Sequence, residues 1–159
     1  MTRQSLILFA AAGSALLLGG AFAFQVFGGM APCHLCLLQR WPHAAAVLIG
    51  LLALALAQSS AGVQRGLALL GALAALATAG LGLYHTGVER QWWQGPDTCT
   101  SGDISAVSAD QLLDQILAAP LVRCDEVAWQ MLGLSMASWN MLASLLLAAI
   151  WLTAATRRP

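Results

Sequence analysis

The chain has 159 residues, 59% of them hydrophobic and 9% charged, with a formal net charge of +0 and no lysine. Soluble domains carry about 25% charged residues, so this composition excludes a water-solvated globule and points to the bilayer as solvent. The absence of any basic block or patch argues against a nucleic-acid partner.

Residues 5–27 form the first apolar run, long enough for a hydrocarbon core that needs roughly 20 residues. Its start, MTRQSLILFAAAGSALLLGGAFAF, also has the arginine, apolar stretch and small-x-small AFA of a secretory signal. Because the run continues through Phe27, past a signal core of about 7–15 residues, a retained span is expected. A short connection, 28–36, carries Cys33 and Cys36 and leads into the second run, 37–57, with Pro42 and His43 near its start. The third run, 66–84, contains LALLGALAALATAGLGL, and the fourth is 138–155. Gly and Ala in spans one and three allow close helix approach, the usual basis of helix packing in lipid. The expected fold is all-α, a polytopic membrane four-helix bundle, with 1–159 as a single integral membrane domain.

Connections 28–36 and 85–137 lie on one side of the membrane. On the side of the termini are Arg3, Arg65, Arg157 and Arg158, against Arg40, Arg90 and Arg123 opposite, a weak positive-inside signal. Every acidic residue (Glu89, Asp97, Asp103, Asp110, Asp114, Asp125 and Glu126) lies in the long connection. Trp41, Trp92, Trp93, Trp129 and Trp139 sit at span ends on the cysteine side, like an interfacial aromatic belt. We read the termini as cytoplasmic and the two cysteine loops as external. Leu112, Leu113, Ile116 and Leu117, opposite Asp110 and Asp114, predict a short amphipathic interfacial helix in the second loop.

All four cysteines then face one compartment, as expected of an oxidising space. Of the three possible pairings, the spacing favours Cys33 with Cys36 and Cys99 with Cys124. If Ala31 or Pro32 opens the second helix, both proximal cysteines occupy its first turn, where the positive helix end favours thiolate. Arg40 follows Cys36 by one turn on the same face, and an arginine at a bilayer edge usually has a partner, here a thiolate or a bound electron acceptor. The blander alternative is that it merely snorkels to the interface.

Other uses of the motif fit less well. Zinc would need His34, His43 or the distal cysteines to complete the site, without the usual second ligand pair. Haem attachment needs C-x-x-C-H, and position 37 is Leu. The Cys99–Cys124 loop of roughly 25 residues could be a structural staple contributing about 3–3.5 kcal/mol. Gly95-Pro96 before Cys99 and Thr100-Ser101-Gly102 after it instead predict a mobile, accessible thiol suited to attack by another protein.

PCHLCLLQR, the distal cysteines and WQMLGLSMASW leading into the last span together resemble the bacterial inner-membrane disulfide bond formation protein B family, DsbB. The resemblance covers nearly the whole chain. It implies a quinone-linked thiol oxidase that reoxidises DsbA, a soluble thioredoxin-like dithiol oxidase of the periplasm, and passes the electrons to ubiquinone or menaquinone. Carried onto this sequence, Cys99 is attacked by the partner and Cys124 is its disulfide mate. Cys33 exchanges with the distal pair, and Cys36 faces the quinone. Arg40 matches an arginine associated with quinone, and His85, in YHTGVE, aligns with a histidine linked to the same site. No metal is expected, and His34 and His43 are given no catalytic role. The vitamin K epoxide reductase family also uses C-x-x-C, but typically near its last span.

Overall fold

A computed structural model of the chain describes residues 1–97, 99, 117 and 122–157. Its helices are α1, Arg3–Val26, α2, His34–Ala55, α3, Ala61–Glu89, and α4, Met136–Thr156. All four are long and apolar enough to cross a membrane, so the expected all-helical bundle is found. The predicted amphipathic helix lies outside the described residues, apart from Leu117.

Each helix packs on two others: α1 on α2 and α4, and α3 on α2 and α4. With sequential antiparallel neighbours, this closes a four-helix ring. The interior is built mainly of alanines, among them Ala10, Ala11, Ala53, Ala68, Ala72, Ala75, Ala148 and Ala154. Small side chains let backbones approach where lipid offers no hydrophobic drive between helices. Trp151 is the large exception: wholly buried, it lies where a Cβ on Gly71 would meet its ring. The outward faces are apolar instead, with Leu16, Leu48, Leu73 and Leu146 exposed, as a lipid-solvated bundle requires.

The far end is closed by side chains that satisfy helix-terminal carbonyls. Gln64 donates to the Ala53 and Leu56 carbonyls at 3.0 and 2.6 Å, and Arg3 Nε donates to the Ala154 carbonyl at 3.2 Å. At the cysteine end the helices depart from the hydropathy runs. α3 continues five residues past 84, so His85 and Glu89 ride on a helix that composition alone assigns to the connection. Backbone hydrogen bonding tolerates polar side chains at an interface, whereas a hydropathy window ends at the first cluster of them. α3 stops where Gln91 adopts φ 58°, with Trp93 stacked on Tyr84 at 6.0 Å. A two-residue hairpin, β1, Gln130–Met131, and β2, Leu134–Ser135, turns through Leu132 and Gly133, both at positive φ, as tight hairpin turns require. Ser135 then caps α4, accepting from the Ser138 amide at 3.2 Å.

Candidate functional site

The site is assembled where the N-terminus of α2, the C-terminal end of α3 and the start of α4 converge. Cys33 is the N-cap of α2 and not a first-turn residue as expected: with ψ 170° its sulfur accepts the Cys36 amide at 3.2 Å. A thiol can replace the usual serine oxygen there. One turn later Cys36 brings its sulfur back to 2.8 Å from that of Cys33. The hydrogen bond shared with Cys36, reinforced by burial, pushes the Cys33 thiol up from its ordinary range.

Cys99 and Cys124 form a disulfide with Cα atoms 5.0 Å apart, while Cys33 and Cys36 are free. The two pairs meet: Cys33, Cys99, Cys124, Leu35 and Val88 make one buried cluster, with Cys36 and Val122 against it. Cys99 is therefore not the accessible thiol expected from its Gly, Pro and Ser neighbours; it is 0% exposed. Flanking composition signals a loop, but packing against the α2 and α3 ends decides exposure.

Arg40 turns toward α1. It donates to Gln25 Oε1 at 2.7 Å and the Ala21 carbonyl at 3.4 Å, with its guanidinium 4.7 Å above the Phe22 ring. Its buried Nε has no partner among the described residues. Simple snorkelling would have left it solvated.

His85 lies within 3.7 Å of Cys33 Sγ through Nε2 and 3.9 Å from Glu89 Oε1, and its Nδ1 meets Gln39 Nε2 at 2.9 Å. Asn140 Nδ2 donates to Gln39 Oε1 at 2.6 Å, and Asn140 Oδ1 meets His43 Nε2 at 2.9 Å. Gln39, Asn140, His43 and Glu89 were not singled out as site residues from the sequence. The signal was present, because a polar side chain inside an apolar run is costly and normally functional. The zinc ligands considered do not gather: His34 is exposed, His43 binds Asn140, and the distal cysteines are bonded to each other. Instead the donor atoms of Cys33, Cys36 and His85 lie within 4.8 Å of one another.

A cavity of about 340 Å³ opens beside this cluster. Leu16, Leu17, Phe24, Trp129 and Trp139 supply its apolar wall, while Cys36, Arg40, His85 and Glu89 supply polar groups. Phe24 and Trp129, with ring centroids 5.6 Å apart, join α1 to the connection before the hairpin. Arg123, which also lines the cavity, grips Asp125 through two hydrogen bonds of 2.9 and 2.6 Å, which hold the Asp125 carboxyl below its usual range.

Two cysteine pairs in contact, one a disulfide and one a dithiol, beside a membrane-edge cavity define a class: a polytopic membrane protein built for disulfide exchange. The family model described as disulfide bond formation protein DsbB matches residues 3–154. The chain belongs to the DsbB family. It is similar to disulfide bond formation protein B 2 of Pseudomonas aeruginosa, at 36% identity over 82% of this chain and 78% of that protein. It is 35% identical to disulfide bond formation protein B of Methylococcus capsulatus, over 85% and 83% of the two chains. With its counterpart from Acidovorax it shares 30% identity over 98% and 88%. No solved structure matches the chain. Family and helices together make it a multi-pass inner-membrane disulfide bond formation protein.

Proposed function

We propose that the protein is a quinone-linked thiol–disulfide oxidoreductase that reoxidises a periplasmic DsbA-like dithiol oxidase, working as one membrane domain over its whole length. The termini are cytoplasmic and the cysteine loops periplasmic, so the distal pair meets a water-borne partner and the proximal pair meets the lipid phase. One observation supports this most: Cys33 is buried in one cluster with the distal disulfide, and both Cys33 and Cys36 line the apolar cavity with Arg40.

The exchange runs as follows. A partner thiolate attacks Cys99 Sγ once docking has uncovered this buried sulfur, breaking the Cys99–Cys124 bond and releasing Cys124 as thiolate. Cys124 attacks Cys33 of the oxidised proximal pair, and Cys36 leaves as thiolate toward the cavity. The partner's second thiolate displaces Cys99, which in turn displaces Cys33 from Cys124 and restores the distal disulfide. The proximal pair is left as a dithiol, the form in which Cys33 and Cys36 stand here. Its reclosure gives up two electrons and two protons.

The cavity fits a ubiquinone or menaquinone headgroup: its size lies within the range of about 300–1,000 Å³ typical of ligand pockets. Its walls are mainly apolar, and one buried guanidinium N–H has no partner among the described residues. A bound quinone supplies a two-electron, two-proton acceptor. Arg40 would hold it beside Cys36, and a fixed cation aimed at developing negative charge acts strongly in a water-poor site. His85 lines the same cavity and adds an imidazole at its inner end.

The competing reading, a membrane scaffold with stapling disulfides, makes a different prediction for cells. In a relay the Cys33–Cys36 pair is mostly oxidised when quinone is abundant and becomes reduced when quinone synthesis is blocked, as read by acid quenching and thiol alkylation. A pair that stays in one state under both conditions would rule out the relay.

A further inference from the structure

The polar side chains between α2, α3 and α4 form a chain whose direction is fixed at one point. Gln39 Nε2 lies 3.1 Å from the Leu35 carbonyl oxygen, which can only accept. The amide nitrogen of Gln39 is therefore on that side, and its second hydrogen points at His85 Nδ1, 2.9 Å away. Nδ1 must accept, so a neutral His85 carries its hydrogen on Nε2. Two groups that can accept that hydrogen lie nearest Nε2: Cys33 Sγ at 3.7 Å and, beyond hydrogen-bond distance, Glu89 Oε1 at 3.9 Å.

The rest of the chain agrees. Gln39 Oε1 accepts from Asn140 Nδ2 at 2.6 Å, which leaves Asn140 Oδ1 to accept from His43 Nε2 at 2.9 Å. His43 Nδ1 is then the bare nitrogen, and it is buried without a partner. Four donors thus run head to tail from His43 through Asn140 and Gln39 to His85, and such chains polarise one another. Thr78 donates to the Gln39 carbonyl at 3.2 Å, fixing the same turn of α2.

We propose that Gln39 is a positioning residue that locks His85 as the Nε2–H tautomer, so that the imidazole meets Cys33 as a hydrogen-bond donor and not as a base. A proton on Nδ1 would face the Gln39 amide hydrogen, and a rotated Gln39 would set its oxygen against the Leu35 carbonyl. The donor acts in the exchange proposed above, on which its role rests. When Cys99 displaces Cys33 from Cys124, the Cys99–Cys124 bond forms, the Cys33–Cys124 bond breaks, and the electron pair stays on Cys33. Nε2–H lies beside that sulfur, and no proton needs to move. The same lock opposes a thiophilic cation at Cys33, Cys36 and His85, because such a cation needs a bare Nε2.

The test uses the reduced full-length protein in lipid nanodiscs. Histidine ¹⁵N resonances report the tautomer directly, and Cys33 alkylation against pH in a Cys36→Ala background reports stabilisation of its thiolate. The expected result is a bare Nδ1 and a protonated Nε2 in wild type from about pH 6 to 8. Gln39→Met mixes the tautomers and slows Cys33 alkylation about tenfold, the scale of a lost charge-assisted hydrogen bond. Asn140→Leu keeps the Nε2–H form, because the Leu35 carbonyl still anchors Gln39. Protonated Nδ1 in wild type overturns the proposal, as does a Gln39→Met protein with unchanged tautomer and alkylation. Neither readout involves quinone or partner protein, so failure of the oxidase reading would appear separately, as absent turnover with the tautomer intact.

Discussion

Cys36→Ala leaves the Cys99–Cys124 disulfide formed and lowers quinone-dependent oxidation of a reduced DsbA-like partner by at least about a thousandfold, the scale seen when a covalent catalyst is removed. The distal pair depends on Cα atoms 5.0 Å apart and on a buried cluster that Cys36 only flanks. The electron path is another matter. Without the second sulfur, 2.8 Å from the first, Cys33 cannot close a disulfide, and no pair of electrons can leave the distal cysteines for the cavity. Non-reducing gels of the stalled protein should show exchange stopping at the distal pair. Wild-type turnover in this variant would mean that the proximal pair is not on the path.

Arg40→Met is the second large effect, and it falls on a different step. The guanidinium lines the cavity with Cys36, and its buried Nε–H has no partner among the described residues. A hydrogen bond to a charged group is worth about 1.5–3 kcal/mol, so kcat/KM for quinone should fall roughly 10–100-fold. Exchange between the partner and the distal disulfide should proceed at its normal rate, since the hydrogen-bond and ring partners of Arg40 among the described residues are Gln25, Ala21 and Phe22 of α1. The variant also strands the Gln25 oxygen, so its thermal stability in detergent should drop modestly. Arg40→Lys keeps the charge but loses the planar fork, and its quinone kinetics should lie between the two. Identical quinone KM and kcat in wild type and Arg40→Met would remove the guanidinium from the acceptor site.

How far the sequence could be read follows from which interactions are local. The four helices were legible because a hydrocarbon core demands long apolar runs, and their close packing because Gly and Ala were plain in the third run. The spacing favoured both pairings; Cys99–Cys124 is bonded, while Cys36 returns beside Cys33 with both sulfurs free. The burial of Cys99 was not legible. It depends on Cys33, Leu35 and Val88, which come from other segments. Arg40 was placed correctly on the Cys36 face, but its partners on α1 arise only from helix packing. Glu89 was counted with the loop acids, although α3 carries it into the cavity wall. The chain from His43 to His85 was the least legible of all: it links α2, α3 and α4, and its direction rests on one backbone carbonyl.

Stoichiometry tests the central claim most directly. Purified protein is mixed with an excess of reduced DsbA-like protein and a known amount of ubiquinone or menaquinone, and thiol loss is followed together with quinone absorbance. Two thiols should be consumed for each quinone reduced, with thiol loss stopping when the quinone is exhausted. Thiol loss that continues without quinone, or quinone that stays oxidised while thiols disappear, would contradict that claim.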